Sequence, residues 1–113
     1  MLTLTDRASI RRAALDARLD RHLRAILHLR FEQMGGSGAH FHALEPGDTL
    51  AAAEAAVGWP LASDESPCWE WLAHHPGGWT EVTFVLSDDG PAQVLLVPDG
   101  ACPALDGLLR YHA

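Results

Sequence analysis

Lysine is absent from all 113 residues, and every basic side chain other than histidine is an arginine. That removes amine chemistry on a lysine, such as Schiff-base formation with a carbonyl substrate. Cysteine is scarce: Cys68 and Cys102 form no C-x-x-C pair and are too few for a disulfide scaffold. They read as buried thiols of a reducing compartment, a Cys68–Cys102 bridge being the minor alternative. No apolar run approaches the roughly 18 residues of a membrane span. The first twenty residues, MLTLTDRASIRRAALDARLD, place acids and arginines where a signal peptide needs an unbroken apolar stretch. The expectation is a cytoplasmic chain without membrane contact. There is no G-x-S-x-G element, and the GGSG of residues 35–38 lacks the Lys-Ser/Thr ending of a phosphate loop and follows a predicted helix.

What is present is ordinary in kind and lopsided in arrangement. The length suits one domain, with a core that needs no staples. Residues 1–34 hold seven arginines against four acids, a balance of +3, whereas residues 35–113 hold Arg110 against eleven acids, a balance of −10. A basic segment beside an acidic body can bind that body, a second copy, or an outside anion.

From Thr5 to Met34 neither proline nor glycine occurs, which predicts one long N-terminal helix stopped by Gly35-Gly36. Its apolar stripe shifts by about half a turn. Ile10, Ala13 and Ala17 mark one face, and Leu23, Ile26 and Leu27 another, so the helix either breaks near residue 18 or packs on two surfaces. AHFHAL (39–44) alternates as a strand. Asp48 is placed as the cap of a helix TLAAAEAAV ending at Gly58. Ser66 and Pro67 are read as the start of a further helix over PCWEWLAHH, ended by Pro76-Gly77-Gly78. WTEVTFVLSDDGPAQVLLVP predicts a hairpin. The apolar run 94–97 marks a strand covered on both faces, and Pro91 and Pro98 mark its ends. Pro103 opens a last helix with Leu105, Leu108 and Leu109 inward. The fold expected is α+β: a small antiparallel sheet of about three strands with helices packed on it, in a single domain 1–113 made of a basic helical arm (1–34) and an acidic body (35–113).

Two blocks, EPGDTLAAAEAAVGWPL and SPCWEWLAHHPGGWTEVTFVLSDDGPAQVLLVP, resemble a family of small uncharacterised bacterial proteins that pair a GDTL helix with a WEW…GGW…VLSDDG hairpin block. The resemblance spans about residues 45–98. It implies a bacterial protein and supplies no activity, cofactor or catalytic residue.

Several side chains are candidates for chemistry. On a helix, Trp69 would face the core while Trp71 and His75 form a partly exposed rim suited to a partner. His40 and His42 share a strand face. With His74 or His75, and Glu45 nearby, they are the only set that suggests a zinc site, although H-x-H alone is weakly specific. Asp88 and Asp89 fit a hairpin turn better than an acid–base pair. No catalytic residue, metal or cofactor is therefore assigned. The leading reading is a non-enzymatic interaction or regulatory module, self-associating as a homodimer, with Arg11, Arg12, Arg18, Trp71 and His75 at the partner surface. The alternatives are a nucleic-acid-associated regulator using the arginine helix, which the acidic body disfavours, and a metal-dependent enzyme using the histidines.

Overall fold

The computed structural model describes residues 1–34, 38–61, 69–86 and 90–112, the side chains of 32–34, 69–70 and 108–112 excepted. The elements run β1 (Leu2–Leu4), α1 (Arg7–Ala14), α2 (Arg21–Met34), β2 (His40–Ala43), α3 (Leu50–Val57), β3 (Trp69–His75), β4 (Trp79–Phe84), β5 (Gln93–Pro98) and α4 (Pro103–His112). The five strands form one sheet in the order β1-β2-β5-β4-β3. All neighbours are antiparallel except β2 and β5, which are parallel. The architecture is α+β as anticipated. The sheet, however, is mixed and has five strands among the described residues, not about three antiparallel ones.

The long N-terminal helix does not form. Leu2–Leu4 adds an edge strand, and two helices follow. Asp6 caps α1 by accepting from the Ser9 N–H at 2.7 Å, and Ser9 closes a reciprocal capping box. The chain then breaks at two aspartates. The Asp16 carboxylate takes the Arg18 N–H, and Asp20 takes the N–H groups of His22 and Leu23 to start α2. Short acidic side chains compete with the helical backbone for hydrogen bonds, so a segment without proline or glycine can still turn. The half-turn shift of the apolar stripe was the sign of this break.

α1 and α2 cover one face of the sheet. Ile10, Ala13, Leu23, Ile26 and Leu27 meet Leu4, Phe41, Val94 and Leu96 there. α3 and α4 cover the other, where Ala53, Val57 and Leu105 meet Leu44, Val82, Phe84, Leu95 and Val97. Residues 1–34 thus supply six of the twelve buried residues of the α1–α2 layer. Val94, Leu95, Leu96 and Val97 are all buried, as a strand covered on both faces requires. α3 ends at Gly58 as anticipated, but its cap is Thr49, which accepts from the Ala52 N–H; Asp48 turns back to the Glu45 N–H.

The other correction concerns WEWLAHH, which is strand β3 and not a helix. It pairs with β4 from Trp69↔Phe84 to His75↔Trp79, with an irregularity between Trp69 and Trp71. Pro76-Gly77-Gly78 is a strand reversal, with φ of +85° and +81° at the two glycines. A helix stop and a hairpin turn use the same residues, and aromatic residues favour strands. Ser66, Pro67, Cys68, residues 35–37 and Asp88-Asp89 lie outside the described residues. Cys102 is a buried free thiol.

The backbone of Gly77 lies against the His22 ring, where a Cβ would clash, whereas Gly100 (φ +79°) faces open space. Gly100→Ala should cost roughly 1 kcal/mol for its backbone conformation alone. Gly77→Ala should cost clearly more, and His22→Ala should recover part of that excess. Urea denaturation of the single and double variants measures the difference.

Candidate functional site

On an antiparallel pair the side chains alternate between faces. Trp71, Ala73 and His75 on β3 and Trp79, Glu81 and Thr83 on β4 therefore point toward α2, while Leu72, His74, Thr80 and Val82 point toward the α3–α4 layer. Glu81 is fully buried. Its carboxylate is held by three donors. Arg30 on α2 donates through both Nε and Nη2 in a bidentate pair, and His75 Nε2 lies 2.8 Å from Oε1. The Arg30 guanidinium also sits 5.8 Å from the Trp71 ring centroid. A buried carboxylate without such partners would be strongly disfavoured, and planar arginine is the side chain best shaped to hold it.

A second polar chain crosses the opposite face. The hydrogen bonds assign its direction: the Thr3 hydroxyl donates to His42 Nδ1 (3.3 Å), His42 Nε2 donates to Gln93 Oε1 (2.7 Å), and Gln93 Nε2 donates to His40 Nδ1 (3.3 Å). It joins β1, β2 and β5. His42 is 4% exposed, and burial pushes its pKa below the usual histidine value, partly offset by the Gln93 hydrogen bond.

These contacts place each candidate residue. Trp71 and His75 come together on one face of β3, with Trp71 54% exposed and His75 half-buried on Glu81. Arg11 and Arg12 are exposed on α1. Arg18 is exposed in the following turn, where Nε and Nη2 both bind Asp16. His40 and His42 do not converge with His74 and His75. β2 and β3 are three strand spacings apart, about 14 Å, and His74 turns to Thr80 on the far face from His75. Among the described residues no three His, Cys, Asp or Glu side chains gather as metal ligands. Nor is any helix there long and apolar enough to cross a membrane. The chain matches no family model, no curated protein and no solved structure.

Glu81 and Arg30 were not among the candidates. Glu81 alternates with Val82 and Phe84 as a solvent-facing residue would. The available signal was the strand partner: a β5 covered on both faces implies that its neighbour β4 is covered too.

Removing one member of a buried ion pair leaves the other charge without compensation, so Glu81→Gln and Arg30→Met should each cost about 3–5 kcal/mol. A Glu81→Leu/Arg30→Met double variant should cost much less than the two single changes added. Denaturation of the four proteins in a double-mutant cycle checks this. His42 gives a pH prediction. Its folded pKa lies below its unfolded one, so the unfolded chain binds the proton first. The stability tied to neutral His42 is complete above the unfolded value near 6.5 and is lost as pH falls below it. His42→Gln should flatten the decline between about pH 7 and pH 5 relative to the parent in urea melts.

Proposed function

We infer that the protein is a non-enzymatic interaction module of the bacterial cytoplasm, self-associating through the outer face of α1 and α2. The observation that carries this reading is the separation of charge across the sheet. Arg7, Arg11, Arg12, Arg18, Arg21 and His28 are exposed on the α1–α2 side. Leu15, 70% exposed, stands among them as an apolar anchor. On the other side of the sheet Glu54 stands on α3 and Asp106 on α4, and after residue 34 Arg110 is the only basic side chain besides histidines. The residues best suited to chemistry favour the same reading, since Glu81, Arg30 and His75 are spent on one another and His42 on Thr3 and Gln93. The likeness of the GDTL and WEW…GGW blocks to small bacterial proteins accords with it.

The two charged layers lie on opposite sides of the sheet, so matching them between copies makes a head-to-tail contact and not a closed two-fold dimer. Nucleic acid is the weaker partner, because the acidic body behind this face repels phosphates. Sedimentation velocity over a concentration series at about 50 mM and about 500 mM salt tests the reading. Association should weaken at high salt and disappear in Leu15→Glu and in Arg11→Glu/Arg12→Glu. A monomer at every concentration and both salts overturns it.

A further inference from the structure

At one end of the sheet, β2 and β5 run out beneath the start of α2 and beside the β3–β4 reversal, leaving a cleft of about 330 Å³. That volume is at the small end of the range for ligand sites. Its walls are mainly apolar, with Leu19, Leu23, Ala43 and Trp79 prominent, and its polar side chains are Asp20, Glu45 and Arg18. The three do not weigh equally. Arg18 is committed to Asp16 by two hydrogen bonds. Glu45 has the Met1 ammonium 3.4 Å away, and that ammonium also lies 3.2 Å from Asp48. Asp20 remains as the charge that faces the cleft without an ionic partner among the described residues.

Asp20 is also well positioned. Its Oδ1 accepts three hydrogen bonds, from the N–H groups of His22 (2.9 Å) and Leu23 (3.1 Å) and from the Trp79 indole (3.1 Å). Oδ2 accepts none from the described residues. The Leu23 N–H, with smaller help from the Trp79 and His22 N–H groups, holds the carboxyl below the usual aspartate range and so charged at neutral pH. One oxygen thus fixes the indole ring and the helix start, and the other is left to a ligand. An aromatic wall beside a carboxylate suits a cation with an apolar body. The net charge of −7 draws such ligands toward the protein.

We propose that this cleft binds a small organic cation: an ammonium group paired with Asp20, on an aryl or alkyl body of up to about ten non-hydrogen atoms lying against Trp79 and Leu23. The site adjoins the α1–α2 docking face at Arg18 but does not rest on the reading of that face.

The test titrates the whole protein with 2-phenylethylammonium and, in parallel, with the neutral 2-phenylethanol, following the Trp79 indole N–H resonance, identified with Trp79→Phe. The ammonium compound should shift it saturably and bind about tenfold tighter than the alcohol, a difference of about 1.4 kcal/mol. Asp20→Asn should lose that tenfold preference while still melting near the parent temperature, because asparagine caps a helix as well as aspartate does. Leu19→Trp, which fills the cleft from a half-buried position, should abolish the shift of both compounds. Equal affinity for ammonium and alcohol, no shift by about 10 mM (weaker than the −4.1 kcal/mol of a millimolar complex), or an unchanged preference in Asp20→Asn would each overturn the proposal.

Discussion

A carboxylate fully withdrawn from water in the middle of a sheet must be met by a cation, and Glu81 sets that condition for the α1–α2 side of the molecule. Arg30 satisfies it from α2, and the two-point geometry of the pair constrains both how far α2 slides along β4 and how it is rotated. With Arg30 in place, Leu23, Ile26 and Leu27 face the sheet, and the start of α2 comes over the β3–β4 reversal, where His22 meets the Gly77 backbone. His75 takes the remaining reach of the carboxylate and ties β3 to β4. Apolar packing alone tolerates sliding; this ion pair does not.

The other face has its own polar device of a different kind. The Thr3–His42–Gln93–His40 chain carries no obligatory charge and runs across three strands, aligning the edge strand β1 with β2 and β5. Each face of the sheet therefore carries one polar network, a charged one around the buried Glu81 and a neutral one that is buried at His42 and open to solvent at Thr3. Both absorb side chains that read as chemistry in the sequence. What is left facing outward is of another sort: arginines and Leu15 on the α1–α2 side, and the Asp20–Trp79 cleft at the end of the sheet. The proposed association and the proposed cation binding both draw on these.

Local pattern made a good part of the fold legible. The alternation from Val82 to Phe84, the apolar run Val94–Val97 and the Gly58 stop all describe backbone decisions taken within a few residues. Where reading failed, one signal served two structures. Asp16 and Asp20 are tolerable within a helix and equally able to end one, and Pro76-Gly77-Gly78 stops a helix or reverses a strand. Only the partner β4 decides that Trp71 and His75 lie on a strand. The three residues of β1 are too short to show periodicity and become a strand by pairing with β2.

By itself the sequence determined the split of charge at residue 34, the α+β class, the buried central strand and the absence of lysine chemistry, because these follow from composition and short-range spacing. Tertiary structure alone decided that Glu81 is buried, that Arg30, 51 residues away, meets it, that the two histidine pairs sit on different strands, and that Asp20 lies beside Trp79. The reason is that burial and pairing belong to surfaces assembled from distant segments. A carboxylate on a strand has the same local pattern whether water or a helix covers it.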